Sequence, residues 1–443
     1  MSPIIMQYDM KVFKFGGASV NNAAGIRNVV SILARYRNDN VLLVISAMGK
    51  TTNALEQLLG HYLAFDALAM VESYEKIRNF HFEILSELFP GSEEKDFPLI
   101  ITLFEQLRGY LRKGHTMKGA MQDYHYEYDQ VVSYGELISA EILHAFVKKS
   151  QLNSVVLDVR QLIKTDSSIR NARVNWELTK TLIRQKINNT PNDGRTIFIT
   201  QGFIGSDPEM NTTTLGREGS DYTAAIFAYS LNAPEVTIWK DVPGVMNADP
   251  KWFPDARKLD TLSYREAIEL AYFGASVIHP KTIKPLENSN ISLWVKSFRD
   301  PEAPGTFISN IEKWTLSFPI YIRKKNQVLI SISPRDFSFI IEENLSGIFS
   351  LLARHGARVN VMQNSAISFT ICVDDDPTLE VNCIAALQKD YHVKYNKNVE
   401  LYTIRHYTAG SVEELVKDQT VLMEQRTRNT VHLVLPSINS GSI

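Results

Sequence analysis

Lysine, arginine and carboxylate side chains stand beside glycines at two places in the chain, an arrangement that could bind and polarise a small anion. Lys14 leaves an apolar run just before Gly16 and Gly17, and an ammonium beside the N–H groups of a helix start forms an anion-binding corner. Arg217 and Asp221 lie in a glycine-interrupted loop that enters an apolar stretch. The guanidinium suits a carboxylate, and the Asp221 carboxylate could orient a cation. Both segments therefore indicate charge chemistry on an anionic substrate.

Simpler explanations stay open for each of these residues when its own segment is considered alone. Lys14 could be a surface lysine beside a tight turn, and Asp221 could be only a helix N-cap. Glu136 follows Gly135 at the start of a strongly apolar helical stretch, where it could simply complement the helix dipole.

Two further motifs give weaker indications of function than the segments around Lys14 and Arg217. Gly49, Lys50 and Thr51 follow an apolar run, but a phosphate loop needs a glycine five positions earlier, where the chain has Val44. We interpret His279, before Pro280, as a capping or packing residue. The two cysteines and ten histidines show no metal-ligand spacing, so we predict no protein-held metal. Any Mg²⁺ should be oxygen-bound and should arrive with a nucleotide.

Short apolar runs alternate with helical patterns over the first two thirds of the chain, which predicts an α/β domain with a mainly parallel sheet between helices. The predicted strands are Lys11–Phe15, Val41–Ser46, Val155–Leu157, Thr196–Thr200, Val236–Trp239 and Ile291–Val295. The predicted helices are Ala23–Tyr36, Ser220–Leu231 and Tyr264–Phe273, with a mostly helical excursion from Thr52 to about Lys149.

A proline-rich turn at 300–305 predicts a domain edge, and we place the boundary after residue 312. Beyond it the chain predicts two small α+β modules. The first is a βαββ unit of Val328–Ile332, Leu345–His355, Arg358–Gln363 and Ile367–Val373. The second begins near Leu379. We therefore expect a catalytic domain over 1–312 and a regulatory region over 313–443.

Composition excludes several classes of protein. The 443 residues carry 47 Lys and Arg against 49 Asp and Glu, a net charge of −2 without a long single-sign run, so we expect no nucleic-acid partner. Apolar runs such as Val41–Ile45 are far shorter than the roughly 18 residues of a membrane span. The mixed start, Met1–Met10, does not resemble a signal peptide, and two cysteines fit a reducing compartment. We expect a soluble cytoplasmic protein.

Taken together, eight segments in order resemble the aspartate kinases, which have the amino acid kinase fold. The segments are Lys14–Val20, Ser46-Ala47 with Thr52-Asn53, Ser133–Glu136, Thr214–Ala225, Trp239–Val245, Ala248–Pro250, Phe273–Lys281 and Pro301–Ile308. The resemblance is dense from residue 11 to about 310, and the remainder resembles the paired ACT modules of that family, which are ferredoxin-like.

The resemblance implies Mg²⁺- and ATP-dependent phosphorylation of the β-carboxylate of L-aspartate. The product would be 4-phospho-L-aspartate, the first step towards lysine, threonine and methionine. By resemblance, Lys14 is the catalytic lysine and Asp221 the acid that holds it. Arg217 matches the arginine that binds a substrate carboxylate through two N–H groups, and Glu136 matches the acid that binds the α-ammonium of the substrate.

Smaller contacts follow from the same resemblance. The implied substrate contacts are Ser46, Thr52 and Ser220. The implied nucleotide contacts are Lys14, Gly16, Gly17, Ser19, Lys240, Asp241, Met246 and Lys251. The chain departs from the family pattern at five positions. It has Ala18 where the family usually has Thr, Lys240 where it has Thr or Ser, Met246 where it has Tyr, Lys251 where it has Arg, and Ser276 where it often has Lys. Because the four main charged residues are retained, we expect an active enzyme.

The C-terminal resemblance implies regulation and assembly. The segment that binds an inhibitory amino acid in related enzymes matches Val359, Asn360, Gln363, Asn364 and Ser365. Asn360 and Ala366 stand where lysine-sensitive relatives carry acidic residues, so lysine, threonine or no effector remain alternatives. Because ACT modules of this family pair across subunits, a homodimer is expected.

Two rival functions remain open. Another kinase of the fold would act on glutamate, N-acetylglutamate or a nucleoside monophosphate, but Glu136 and Arg217 together suit a free α-amino acid. An amino-acid sensor that has lost kinase activity is suggested by Ala18 and the nucleotide-loop departures. The chain has no dinucleotide glycine fingerprint, so we expect no fused homoserine dehydrogenase.

Overall fold

The computed structural model describes residues 10–116, 123–191, 195–275, 278–312, 316–336, 338–377, 379–417 and 419–437. The chain forms two compact units. Unit 1 comprises Met1–Val245, Lys258–Ile268 and Val277–Glu312, and unit 2 comprises Met246–Arg257, Glu269–Ser276 and Lys313–Ile443.

The division differs from a single boundary after residue 312. The stretches 246–257 and 269–276 group with unit 2. The first is tied there by hydrogen bonds: Tyr321 N–H donates to Asn247 O at 2.7 Å, and the Asn247 side chain donates to Pro319 O at 2.9 Å. Turn composition, on which the boundary after residue 312 rests, marks the edges of segments but not their long-range partners.

Unit 1 is built on an eight-stranded sheet with the order β3-β4-β2-β1-β7-β9-β10-β8. The strands of unit 1 are β1 Met10–Phe15, β2 Asn40–Ile45, β3 Ser154–Leu157, β4 Ile197–Gln201, β5 Ile204–Ser206, β6 Thr212–Thr214, β7 Glu235–Lys240, β8 Thr261–Ser263, β9 Ser292–Ser297 and β10 Thr306–Ser309. β5 and β6 form a separate antiparallel hairpin. All neighbours in the large sheet are parallel except β9 and β10.

The described helices that begin in unit 1 are α1 Ala23–Arg35, α2 Thr51–Leu63, α3 Ala67–Leu88, α4 Pro98–Thr116, α5 Tyr124–Val132, α6 Tyr134–Lys149, α7 Trp176–Asn189, α8 Gly219–Leu231, α9 Tyr264–Phe273 and α10 Pro280–Asn288. α1, α8 and α9 match their predicted bounds to within one residue, whereas α7 and α10 had no predicted counterpart. α9 crosses from unit 1 into unit 2. The predicted helical excursion is confirmed over its described residues as α2 to α6.

The core explains why these elements form. β1 and β2 are buried along nearly their whole length, as parallel strands covered on both faces must be. α1 buries Ile26, Val29 and Leu33 at helical spacing and begins at Asn22, whose side chain accepts the Gly25 N–H at 2.8 Å. The predicted α/β class and mainly parallel sheet are therefore confirmed. The short strands β5, β6, β8 and β10 escaped prediction, since three or four residues carry little periodicity.

Unit 2 contains a six-stranded antiparallel sheet with the order β12-β13-β11-β14-β16-β15. Its strands are β11 Ile320–Pro334, β12 Val359–Asn364, β13 Phe369–Asp374, β14 Tyr391–Arg405, β15 Met423–Arg426 and β16 Thr430–Pro436. Its helices are α11 Glu342–Arg354, α12 Ala385–Asp390, preceded by a π-helical turn at Leu379–Ile384, and α13 Ala409–Val416. The predicted strands Arg358–Gln363 and Ile367–Val373 match β12 and β13 closely, whereas Val328–Ile332 covers only part of β11. β11 and β14 pair with each other along most of their length, and in this way they join the two α+β modules in one sheet.

Candidate active site

The order of the sheet places its ligand-binding edge beside β1. β2 lies on one side of β1 and β7 on the other, so the chain changes direction along the sheet at this strand. In open α/β sheets the crevice at the carboxyl ends of such strands is the usual ligand site. Lys14 lies near the end of β1, Ser46 follows β2, and Lys240 ends β7.

Lys14 is joined to Asp221 in a nearly dry ion pair. The Lys14 ammonium lies 2.6 Å from Asp221 Oδ1, and the Lys240 ammonium lies 3.5 Å from Oδ2. Only 2% of Asp221 is exposed. Burial by itself would raise the pKa of Asp221, but the two ammoniums outweigh burial and hold it below its usual value. The carboxylate therefore stays charged and fixes both lysines.

Asp221 is not a helix N-cap, which corrects one of the alternatives above. The N-cap of α8 is Glu218, and Asp221 lies in the first helical turn, where its charge also favours the helix dipole. Glu218 adopts a left-handed conformation with a φ of 53°. Its Oε2 is buried without a hydrogen-bond partner among the described residues, and burial raises its pKa.

The predicted glycine turn requires glycine because two backbones meet there. A Cβ on Gly17 would lie 2.6 Å from Ala47 O, and Gly17 O accepts the Gly49 N–H at 3.0 Å. A Cβ on Gly16 would lie 3.4 Å from the Lys14 ammonium, so the lysine folds over the turn. This brings the loop after β1 against the loop after β2.

Glu136 is a buried acid, and the described part of the chain places no counter-ion at hydrogen-bond distance from it. Its Oε1 accepts the Ala47 N–H at 3.3 Å, and within the described residues Oε2 has no hydrogen-bond partner. Burial raises the pKa of Glu136 to about 8, against the weaker opposing effects of the Ala47 N–H and the Lys14 charge. A buried carboxyl group in this condition would be stabilised by an incoming ammonium group. Glu136 does lie in the first turn of α6, but a carboxyl group with a raised pKa is mostly neutral at pH 7, so complementing the helix dipole does not explain it.

A cleft of about 510 Å³ joins these groups. The predicted residues that line it are Lys14, Gly17, Ser46, Thr52, Glu136, Arg217, Ser220, Asp221 and Lys240. Gly16, Ser19 and Asp241 are not among the lining residues, and Ser19 is buried. Met246 and Lys251 belong to unit 2. Ser276 lies outside the described residues.

Four lining residues with large side chains had no predicted role, namely Tyr128, Arg170, Phe203 and Glu218. Glu218 lies inside a quoted motif. The other three lie outside the quoted motifs, and only the fold brings them to the cleft. Arg170, Phe203 and Glu218 share a positive φ, a backbone feature that composition does not reveal.

The predicted effector residues lie on or just after β12, an edge strand of the unit 2 sheet. The Asn360 amide donates to Gln327 Oε1 at 2.6 Å and to Asp374 Oδ1 at 2.8 Å. The Lys324 ammonium lies 2.6 Å from the same Asp374 oxygen and 2.8 Å from Asn360 Oδ1. Gln363, Asn364 and Ser365 are exposed, and Val359 is half-buried.

Three other observations bear on the predictions. His279 caps α10, since its Nδ1 accepts the Lys281 N–H at 3.2 Å, which confirms the capping interpretation. Across the described ranges, three or more His, Cys, Asp or Glu side chains nowhere converge as they would around a metal ion. A search of the same ranges finds every helix too short or too polar to cross a bilayer.

Comparison with known proteins identifies relatives of the whole chain. The profile of the Amino acid kinase family matches residues 9–297. The lysine-sensitive aspartokinase 3 of Escherichia coli is 32% identical over 374 residues, which cover 83% of this chain and 78% of that protein. A chloroplastic bifunctional aspartokinase/homoserine dehydrogenase of Arabidopsis thaliana is 31% identical over 372 residues, and the chain spans 40% of its length.

Solved structures of E. coli aspartokinase III resemble the fold closely. The complex with aspartate and ADP in the R-state superposes with a TM-score of 0.78 at 28% identity, covering 96% of both chains. The T-state complex with lysine and aspartate gives a TM-score of 0.77 at 28% identity, covering 97% of this chain and 96% of that one. The chain belongs to the amino acid kinase family and, within it, to the aspartokinases.

Proposed function

We propose that the chain transfers the γ-phosphoryl group of ATP to the β-carboxylate of L-aspartate and forms 4-phospho-L-aspartate. The observation that carries the proposal is the charge arrangement of one cleft. The Lys14–Asp221 pair lies beside a buried acid, Glu136, that lacks a cation partner at bonding distance, and Arg217 lines the same cavity. A free amino acid with a second carboxylate complements these groups, since its ammonium and carboxylates meet opposite charges.

The chemistry needs positioning more than proton transfer. A carboxylate is already a nucleophile at neutral pH, so the protein has to align the reactants and neutralise the charge that spreads over the phosphoryl oxygens. In the proposed mechanism Lys14 contacts the transferring group, while Asp221 keeps the ammonium at the end of β1. The second ammonium, Lys240, gives Asp221 two lysine partners, and both ammoniums could bind the oxygens of a polyphosphate.

Substrate recognition divides between the two remaining charged residues. Glu136 would release its proton to solvent as the substrate binds and would then pair with the α-ammonium. Arg217 would bind a substrate carboxylate through two N–H groups. Ser46, Thr52 and Ser220 offer hydroxyl groups along the cleft. Ser139 supports this wall, because its hydroxyl donates to Ser46 O at 2.7 Å.

The glycine turn and the lysines fit the phosphate end of ATP. We assign Lys14, Gly16, Gly17, Ser19, Lys240 and Asp241 of unit 1 to the nucleotide, and three of them, Lys14, Gly17 and Lys240, line the cleft. The nucleotide contacts of Met246 and Lys251 remain predictions from the sequence. Mg²⁺ would travel with the nucleotide, held mainly by phosphate oxygens, and would supply additional neutralisation of the transferring charge.

We further propose a catalytic domain over 1–312 and a regulatory region over 313–443 that forms a homodimer in the cytoplasm. Unit 2 exposes apolar side chains around its β12 half, including Phe339, Met362 and Ile367. β12 lies at one edge of the unit 2 sheet, where Met362 O accepts a hydrogen bond from the Gln425 side chain at 3.2 Å. An amino acid, lysine or threonine, would bind at Val359–Ser365 and shift the enzyme between active and inactive states.

Trapping of the acyl phosphate tests the reaction directly. Purified protein with MgATP and L-aspartate should yield aspartyl hydroxamate in hydroxylamine, whereas L-glutamate and N-acetyl-L-glutamate should not. Lys14→Met should abolish the product. Lys11→Met is the matched control, because Lys11 lies on the same strand but pairs with Asp39 at 3.2 Å. Folded protein that yields no product with any acceptor would refute the kinase and favour the sensor. Repeating the assay with lysine and with threonine identifies the effector.

A further inference from the structure

Arg170 is a second arginine of the cleft, and the roles above do not use it. It lines the cavity together with Arg217, Glu136 and Ser46. Its side chain is partly buried, and it lies in the loop between β3 and α7.

The backbone at Arg170 is held in a conformation that favours glycine. Its φ is 61°, in the left-handed region. Two hydrogen bonds fix the loop there, since Arg170 N–H donates to Asp129 Oδ2 at 3.1 Å and Ala172 N–H donates to Thr214 O at 2.9 Å. A non-glycine residue in this region persists only where its surroundings determine it, and such residues concentrate at functional sites.

The side chain is positioned by aromatic rings and not by an acid. The Arg170 guanidinium lies 4.3 Å from the centre of the Tyr128 ring and 5.7 Å from that of Tyr124. Asp129 is occupied otherwise, because its carboxylate accepts the Thr214 N–H and hydroxyl as well as the Arg170 N–H. In the part of the chain that the structure describes, Arg170 forms no ion pair. Its guanidinium therefore retains N–H donors for an anion in the cleft.

Arg170 and Arg217 emerge from backbones that touch. Gly216, with a φ of 81°, packs so tightly against the loop that a Cβ would lie 3.3 Å from Arg170 O and 2.7 Å from Asn171 Oδ1. Both arginines line the cleft, and so does the acid Glu218 next to Arg217. Two guanidiniums that line one cavity can bind a carboxylate together, since each offers several N–H donors.

We propose that Arg170 binds the acceptor amino acid beside Arg217, as a second guanidinium at its carboxylate end. The inference rests on the proposed function for the identity of the acceptor. Arg170 would contribute to ground-state binding of L-aspartate and would leave nucleotide binding and phosphoryl transfer to Lys14, Asp221 and Lys240.

The test compares Arg170→Ala, Arg170→Gly and Arg170→Lys with the wild type. KM for L-aspartate should rise about tenfold in the Ala and Gly variants, and less in the Lys variant, while kcat and KM for ATP change less than about threefold. Arg170→Gly should unfold at a higher temperature than Arg170→Ala, since glycine relieves the left-handed strain. Arg173→Ala, an exposed arginine of the same loop, should match the wild type.

Three results would overturn the proposal. The first is an unchanged KM with a lowered melting temperature, which would mean that Arg170 only packs on Tyr128. The second is an equal effect of Arg173→Ala, which would mean general charge attraction. The third comes from calorimetry with L-aspartate in the absence of ATP: unchanged affinity in Arg170→Ala would overturn the role of Arg170 even if the wild type fails as a kinase. Wild-type protein that binds L-aspartate but makes no product would refute only the proposed function.

Discussion

The Lys14 ammonium lies 2.6 Å from the Asp221 carboxylate, and this contact joins the first strand of the sheet to the helix α8. Lys240, at the end of the neighbouring strand β7, approaches the other oxygen of Asp221 at 3.5 Å. One buried carboxylate thus positions two ammoniums at the edge of the sheet where strand order reverses. Around Asp221 two ammoniums therefore face one carboxylate.

Removal of the Asp221 charge should lower turnover more than substrate binding. We expect Asp221→Asn to reduce kcat by about 10²–10³-fold with KM for aspartate within about threefold, because Lys14 loses its fixed position at the phosphoryl group. Steady-state kinetics measure both values. Asp39→Asn, which removes the partner of Lys11, should leave kcat unchanged. A rise in KM at constant kcat would contradict the role given to Asp221.

Lys240 should act on the nucleotide and not on the amino acid. Lys240→Met is expected to raise KM for ATP by about tenfold and to leave KM for aspartate unchanged, since a charge-assisted contact to phosphate is lost. Lys50→Met is the control, because Lys50 is exposed and belongs to the motif that fails as a phosphate loop. If Lys50→Met weakened ATP binding and Lys240→Met did not, the assignment of the phosphate site would be wrong.

Glu136 should make stability depend on pH. Its pKa in the folded protein is about 8, above the value of about 4.3 for an exposed Glu, so unfolding releases a proton between these values. The wild type should therefore lose stability as pH rises from about 5 to 8, by at most about 1.4 kcal/mol per pH unit from this group. Glu136→Gln lacks the effect. In thermal melts, the melting temperature of Glu136→Gln should rise relative to that of the wild type as pH rises. If the melting temperatures of the two proteins followed parallel curves against pH, Glu136 would not be a buried neutral acid.

The same group should couple aspartate binding to pH. Because the substrate ammonium needs an ionised Glu136, KM for aspartate should fall by up to about tenfold per pH unit below pH 8 and level off above it. In Glu136→Gln the KM should be high and nearly independent of pH. Initial rates in overlapping buffers measure both profiles. A pH-independent wild-type KM would show that Glu136 does not meet the ammonium.

Gly17 should tolerate no side chain. Gly17→Ala would place a Cβ 2.6 Å from Ala47 O, so we expect a lower melting temperature and a loss of activity as the two loops separate. Gly60→Ala is the matched control inside α2, where a Cβ meets nothing within 4 Å. It should stabilise the protein by about 0.5–1 kcal/mol through helix propensity. Wild-type activity in Gly17→Ala would remove the argument for a close-packed phosphate turn.

Much of unit 1 could be predicted from the sequence because its long elements carry strong periodicity. β1 and β2 are mostly apolar runs, α1 begins at a capping asparagine, and Gly219 marks the start of α8, which has no side-chain cap. The charged residues Lys14, Glu136, Arg217 and Asp221 were found because each stands beside a glycine at the start or end of such an element.

The tertiary structure decided how these residues are used. Spacing could not separate a catalytic Lys14 from a surface lysine, since the contact with Asp221 spans a large part of the chain. The neutral state of Glu136, the positive φ of Arg170 and the assignment of 246–257 to unit 2 are likewise consequences of burial and long-range pairing. Sequence by itself determined the local elements and the charged groups they carry, because propensity and periodicity act over a few residues. Only the folded chain decided which of those groups are buried from water and close enough together to form ion pairs and shift one another's pKa values.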